Sequence, residues 1–439
     1  MSVGGAGQID DWYVPRVVDT QLQAALRASP AVVLEGPRAC GKTSTGRAHA
    51  HSEVMFGSDR SARLAAHVDP GEILVGPEPR LLDEWQLAPE IWNQVRAAGD
   101  EGRRPGRFIL TGSALPTDDI TRHTGTGRIT RVRMRPMSLF ETGLSSGTVA
   151  LDDLFSANVG FVNAPDPGLR DLVEATCRGG WPASLDIDLV AAQNYASSYL
   201  AEVCRTDIPQ LGGPARDPLG VTRLLRSLAR NVATEASEST LATDTGGERP
   251  LDRRTVSAYL DALERLFVVE DVPAWSIELR SRARLRQAAK RHLTDPSLAV
   301  AALGANPERL ISDLGTFGLL FESLAVRDLR VYAESSRSHL AHYRDSSGLE
   351  VDIIIERGDG AWIALEIKLG GEAAIEHAAK SLRKLRDTVS DRRVGDPSNL
   401  VVVTANGYGF RREDGVQVVP LTALGPRAGS PTYRPDALR

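Results

Sequence analysis

A mixed α/β chain in three parts is predicted by three observations. The apolar run Val32-Val33-Leu34 empties into a glycine-rich turn and then into a helix-compatible segment. Residues 219–275 read as two helices followed by a strand-like run. From Leu314 onward the pattern is α-β-β-β-α-β, closing on a strand at Leu400–Thr404. At 439 residues the chain has room for several domains with substantial cores.

Taken in order, residues Val14 to Leu26 read as an amphipathic lead-in helix with Arg16 on its polar side. The turn that follows the first strand is Gly36-Pro37-Arg38-Ala39-Cys40-Gly41-Lys42-Thr43, with Ser44 next. A strand, this glycine and lysine spacing, and then a helix form the setting of a phosphate-binding P-loop. Glycines let backbone N–H groups turn inward around phosphate, and the helix N-terminus adds its dipole. Lys42 is expected at the β- and γ-phosphates of ATP or ADP, and the Thr43 hydroxyl on Mg²⁺.

The strand Arg80-Leu81-Leu82-Asp83-Glu84 ends in two carboxylates. Asp83 is expected to hold the metal, and Glu84 to act as base on the attacking water. The apolar run Phe108-Ile109-Leu110 ends in Thr111-Gly112-Ser113, and these hydroxyls are candidates for placing that water. Arg128 is the candidate arginine finger, offered to the γ-phosphate of a neighbouring subunit. The alternation Arg131-Val132-Arg133-Met134-Arg135 predicts a half-buried strand with a cationic face.

Composition sets limits. Lysine stands only at positions 42, 290, 368, 380 and 384, although Lys and Arg total 52. Where lysine persists against such a bias, a compact ammonium is a candidate requirement, because guanidinium is not its equivalent. A net charge of −5 argues against coating nucleic acid through bulk charge. Cys40, Cys177 and Cys204 lie far apart and resemble no metal or disulfide framework. No apolar run approaches the roughly 20 residues that span a bilayer, so a soluble cytoplasmic protein without membrane contact is expected.

The P-loop, Leu82-Asp83-Glu84, Leu110-Thr111-Gly112-Ser113, Gly127-Arg128 and the stretch Arg135 to Glu141 together resemble a bacterial AAA-type ATP-binding protein. Further matches are Gly179-Gly180-Trp181-Pro182, Tyr199-Leu200 with Arg205 and Asp207-Ile208, and Thr294 to Ala299. In that family the ATPase is joined to a C-terminal domain of unresolved function, and the resemblance runs from about residue 14 to 405.

Residues 142–210 are largely helical by periodicity, with a loop at Asn158–Gly168. In 219–275, Val221–Val232, Leu251–Phe267 and the run Val268–Val272 predict a winged helix-turn-helix. Asp252 would cap its second helix, and Arg253 and Arg254 would lie where DNA is read. Thr234 to Pro250 reads as a polar, disordered insertion. Arg280, Arg282, Arg284, Arg286, Lys290 and Arg291 form a cationic segment suited to phosphates or to a solvated face.

In the last part, Asp352 and Glu366-Ile367-Lys368 lie on neighbouring strand-like runs, and Glu322 lies on the preceding helix. Glu366 and Lys368 alternate by two and so share a face. Two carboxylates on Mg²⁺ or Mn²⁺ beside a lysine is chemistry for cutting a phosphodiester. The set resembles the PD-(D/E)xK nuclease arrangement, with Glu322 as an extra metal ligand and Val351 in the place of proline. The expected parts are a lead-in at 1–30, an AAA-type P-loop ATPase domain at 31–141 and a helical lid at 142–210. A winged-helix-like domain at 211–275, a restriction-endonuclease-like α/β domain at 276–425 and a tail at 426–439 complete them. Arg128 acting between subunits implies a homo-oligomer in the form of a ring. Two roles remain open. One is an ATPase that engages DNA or another nucleic acid and cuts it. The other is an ATP-switched binding or scaffold protein whose nuclease-like domain holds a partner without cutting.

Overall fold

The computed structural model of the chain describes residues 13–102, 104–113, 125–156, 159–211, 216–246, 250–275, 288–390 and 395–426. The helix Val18–Ala28 leads into a parallel sheet of β1 (Ala31–Glu35), β2 (Ser52–Met55), β3 (Arg80–Asp83), β4 (Phe108–Gly112) and β5 (Ile129–Arg133). Its strand order is β2-β3-β4-β1-β5, so β4 is inserted between the P-loop strand and the strand that ends in Asp83. Because every strand is parallel, all C-terminal ends meet at one edge, where ligands of open α/β sheets bind.

Strand alternation divides the core. Val32, Leu34 and Ile109 face one apolar cluster, while Ala31, Val33 and Leu110 face another with Trp85 and Trp92. The first cluster does not stop at the ATPase sheet. It continues through Trp181, Leu224 and Leu263 to Leu324 and Ile363, so the three parts share one interior. The motifs quoted above stitch it. Gly180 has no room for a side chain, since a Cβ there would stand 2.0 Å from the carbonyl oxygen of Met137. The Gly180 N–H donates to Asp295 at 3.0 Å, and Asp295 pairs with Arg327 at 3.0 Å.

The middle part departs from its expectation in three ways. β6 (Val149–Ala150) and β7 (Val162–Asn163) leave the expected helical lid to pair with strands near the C-terminus. The expected disordered insertion contains a helix, Glu238–Asp244, capped by Ser237. It lies between helices Pro218–Arg230 and Arg253–Arg265, and Asp252 caps the latter through the Thr255 N–H at 3.0 Å. Val268–Val272 forms only single antiparallel bridges, Val269 to Leu293 and Val272 to Lys290, and no continuous wing strand among the described residues. The helix Pro296–Leu303 packs on helices Leu189–Glu202 and Pro218–Arg230, which ties the start of the expected 276–425 domain to the middle part.

The helix Leu314–Ser335 then runs beneath β8 (Ser338–Arg344), β9 (Glu350–Arg357) and β10 (Trp362–Lys368). The helix Glu372–Ser390 and β11 (Asn399–Thr404) complete the α-β-β-β-α-β order. β12 (Tyr408–Arg411) and β13 (Gln417–Pro420) extend the sheet to β7-β12-β13-β11-β10-β9-β8, and β14 (Leu424–Gly425) pairs with β6. Arg280 to Arg286 and the tail beyond 426 lie outside the described residues. Among the described residues, no helix is long and apolar enough to cross a membrane.

Candidate functional site

The P-loop is held from both sides. A Cβ on Gly36 would lie 2.0 Å from the carbonyl oxygen of Met134, so only glycine passes beneath the exit of β5. Gly41 adopts φ +104°, a left-handed conformation that favours glycine, at the start of the helix Lys42–His49. Lys42 is buried, and its ammonium donates to the carbonyls of Gly36 at 3.0 Å and Pro37 at 2.7 Å. Thr43 and Ser44 occupy the first turn of that helix. Arg16 is not on a polar helix face as expected. It precedes the helix, is buried, and donates to the carbonyls of Cys40 and Arg135 at 2.8 Å each and to Glu141 at 2.9 Å. Gly36→Ala is expected to displace the loop from β5 and to lose ATP binding with a lowered Tm, which nucleotide titration and melting read directly.

Asp83 collects two hydroxyls. Thr43 Oγ1 and Thr111 Oγ1 each donate to Asp83 Oδ1 at 2.7 Å. Strand register explains this, since Leu34 pairs with Thr111 and Leu82 with Leu110. Thr111 is fully buried behind Asp83, and its oxygen also accepts the Glu84 N–H at 3.1 Å. It therefore positions the two carboxylates. Glu84 stands at φ +55°, ψ +47°, a left-handed conformation that costs a non-glycine residue about 1–3 kcal/mol. Its carboxylate accepts from Ser113 Oγ at 3.2 Å and from Gln86 Nε2. Gln86 was invisible in the sequence, because nothing in its spacing distinguishes it. A hydroxyl and carboxylate oxygens are the hard donors that Mg²⁺ takes, and the loop and Lys42 fit a nucleotide's phosphates.

Arg38 leaves the loop to pair with Asp207 at 2.5 Å. Asp207 closes a π-helical turn, Val203–Asp207, a distortion found often at functional sites. Burial pushes its carboxyl upward, and Arg38 only partly offsets this. The loop is thereby fastened to the middle helices.

Arg128 lies level with Ala31, at the opposite edge of the sheet from its own P-loop, and pairs with Asp100 at 2.7 Å. The cationic face expected of β5 is spent internally. Arg131 pairs with Glu35 at 2.7 Å, and Arg133 lies over the Phe267 ring at 3.9 Å. Arg135 is buried between Glu270 at 2.6 Å and Glu334 at 2.7 Å, which joins the ATPase sheet to the middle part and to the end of the helix Leu314–Ser335.

The C-terminal carboxylates do converge. β9 and β10 pair Ile353 with Leu365, which brings Asp352 beside Glu366. Lys368 bridges them, at 3.0 Å from Asp352 Oδ2 and 2.6 Å from Glu366. Lys290 is where the expectation fails: it is no surface cation. Its side chain is 1% exposed, and its ammonium contacts Glu322 at 2.9 Å, Glu350 at 3.0 Å and Asp352 Oδ1 at 3.1 Å. Burial raises the Asp352 carboxyl, but Lys290 and Lys368 outweigh it and hold it well below the usual range. Burial together with the charge of Asp352 pushes Glu322 and Glu366 up to about 8, against the pull of the lysines. Among the described residues, no three His, Cys, Asp or Glu groups are disposed to hold a metal ion. Where Mg²⁺ or Mn²⁺ was expected between Glu322, Asp352 and Glu366, the ammonium groups of Lys290 and Lys368 stand against these carboxylates. Lysine scarcity pointed to Lys42 and Lys368, and the structure adds Lys290 as a third of the five lysines at these two sites.

Residues 28–143, which hold the P-loop, the Thr43–Asp83–Thr111 cluster and the inserted β4, match the AAA domain family. Residues 169–309 and 317–424 match two domains of unknown function, DUF8612 and DUF4143. The chain is 26% identical over 412 residues to uncharacterized proteins of Mycobacterium tuberculosis and Mycobacterium bovis, across 91% of its own length and 82% of theirs. Among solved structures it is similar to the Walker-type ATPase PABY2304 of Pyrococcus abyssi, with TM-score 0.40 and 15% identity, over 67% of this chain and 99% of that one.

Proposed function

We propose that this chain is an ATP-switched binding protein: it hydrolyses ATP with Mg²⁺ at residues 36–44 and transmits the nucleotide state to a C-terminal half that holds a partner without cutting it. Thr43 and Asp83 hold the metal. Lys42 supplies charge to the phosphates, and Glu84, fixed by Ser113 and Gln86, takes a proton from water. The observation that carries the reading is Arg135. It leaves β5 two residues beyond its end, its carbonyl shares Arg16 with the P-loop, and its guanidinium grips Glu270 and Glu334. Glu334 ends the same helix that carries Glu322 into the carboxylate cluster. Incubating the protein with ATP, Mg²⁺ or Mn²⁺, and assorted DNA and RNA should give phosphate release without cleavage. Cleavage that depends on Asp352 would return the C-terminal half to nuclease chemistry.

A nucleic-acid partner is supported by the middle part, though not by the helix Arg253–Arg265. There Arg253 pairs with Glu238 at 3.0 Å, and the outer face continues with Asp261 and Glu264. Arg226 and Arg230 of the neighbouring helix, with Arg309, line a groove of about 560 Å³ in which three cations outnumber the two carboxylates of Glu308 and Asp313. Arg226→Ala with Arg309→Ala is expected to weaken binding of single- or double-stranded DNA several-fold while leaving ATP turnover unchanged, and filter binding at fixed salt measures this.

We also propose a homo-oligomer in which Arg128 serves the next subunit. Arg128 is exposed, and its distance from its own P-loop suits a role in trans. Mixing Arg128→Ala with Glu84→Gln subunits should then restore activity at interfaces that pair an intact Arg128 with an intact Glu84. Full turnover by a protein that stays monomeric with ATP rules this out.

A further inference from the structure

We infer that Lys290 is the resident cation of the C-terminal carboxylate cluster and that the intact chain is closed to a divalent metal there. An ammonium has three N–H groups, and Lys290 has three carboxylate partners, Glu322, Glu350 and Asp352, within 3.1 Å. Its donors are therefore fully used. Asp352 has no free oxygen either. Oδ1 is held by Lys290, while Oδ2 accepts from Lys368 at 3.0 Å and from the Ile367 N–H at 2.9 Å. A divalent ion needs several oxygens at about 2.0–2.6 Å, and between Glu322 and Asp352 that position is where Nζ stands.

Lys290 is also fixed from behind. Its N–H donates to the Val272 carbonyl at 3.0 Å, and its own carbonyl accepts from Val272 at 2.9 Å. The cation thus reaches the cluster from the middle part, held by this one reciprocal backbone bridge. The arginine-rich composition supports the assignment independently. A planar guanidinium cannot present three donors tetrahedrally to three carboxylates, and lysine persists here in a chain with five lysines in all. An exposed cation for phosphate carries no such requirement.

The inference rests on, and deepens, the reading of the C-terminal half as one that holds a partner without cutting it. Taking Lys290 away leaves Glu322, Glu350 and Asp352 facing one another with their attraction to an ammonium gone, and a divalent ion then becomes the natural replacement. Mn²⁺ binding to the nucleotide-free full chain is measured by equilibrium dialysis, with thermal melting in Mn²⁺ and in chelator alongside. Wild type is expected to bind no Mn²⁺ that Asp352→Asn removes, and to melt alike in both conditions. Lys290→Met should gain one Mn²⁺ per chain and a Tm raised by the metal, and adding Asp352→Asn should abolish both gains. Wild-type Mn²⁺ binding that Asp352→Asn removes overturns the inference, and does so even if Lys290→Met fails to fold. A folded Lys290→Met that still ignores Mn²⁺ overturns it as well. Wild-type Mn²⁺ binding that Asp352→Asn removes, without cleavage, sinks Lys290's role alone, whereas nucleic-acid cleavage sinks the reading of a partner held without cutting, so the two failures are distinguishable.

Discussion

Lys42→Ala is expected to abolish ATP binding, while Glu84→Gln binds ATP normally and turns it over slower by about 10²–10⁴-fold, the usual contribution of a positioned base. The two differ because they act on different states. Lys42 is buried and points across its own loop, with its ammonium satisfied by the Gly36 and Pro37 carbonyls. Two charge-assisted hydrogen bonds transferred to phosphate are worth about 3 kcal/mol or more, which is over a hundredfold in Kd. The hydrogen bonds of the Glu84 N–H and carboxylate run to Thr111, Ser113 and Gln86. Its strained backbone and its contacts to Ser113 and Gln86 aim a carboxylate, and glutamine keeps the shape while losing the proton acceptor. Unchanged affinity in Lys42→Ala, measured by a fluorescent nucleotide, would remove the P-loop assignment.

Arg135→Ala should destabilise the chain by about 3 kcal/mol, because it leaves the half-buried Glu270 and Glu334 without their counter-charge. Glu270 depends on Arg135 at 2.6 Å, with Arg330 at 3.5 Å and Arg133 at 3.9 Å as weaker support. Burial raises the Glu270 carboxyl, but these three cations more than reverse it, and its pKa falls far below the ordinary glutamate value. A carboxyl depressed in the folded state stabilises above its unfolded value, about 4.3, and that stability is lost as pH falls further. Wild type should therefore lose stability steeply below about pH 4, and Arg135→Ala should lack that part of the acid dependence. Arg135→Lys should recover only part of it, since an ammonium cannot make the forked pairing. Denaturant melts across pH 3–7 measure all three.

The sequence pattern was most informative where local chemistry is self-contained. The P-loop needs a strand, a turn and a helix within a dozen residues, and glycine and lysine mark it directly. The α-β-β-β-α-β order was legible for the same reason, with Trp362–Lys368 read residue for residue. Long-range partners were not legible. Arg16 and Arg135 read as cations on a polar helix side and a strand's cationic face, and Lys290 as one suited to phosphates or to solvent, because a sequence shows charge but not which carboxylate will meet it. Thr111 read as a residue facing the phosphates, and the register of β4 against β1 and β3 turned it behind Asp83. The helix Glu238–Asp244 was hidden by its polar composition, since only Leu241 and Ala242 bury apolar surface. β6 and β7 are two residues each and exist only because strands near the other end of the chain accept them.

The central claim is that the nucleotide site and the C-terminal half move as one through Arg135 and the helix Leu314–Ser335. Amide hydrogen exchange over residues 314–335 tests it most directly, comparing nucleotide-free protein with Glu84→Gln saturated with ATP. Protection of the turn around Glu334 should change on ATP binding in Glu84→Gln, and the change should vanish when Arg135→Lys is added. Exchange that is identical with and without ATP, in a protein shown to be saturated, would contradict the coupling and leave the ATPase domain as an isolated engine.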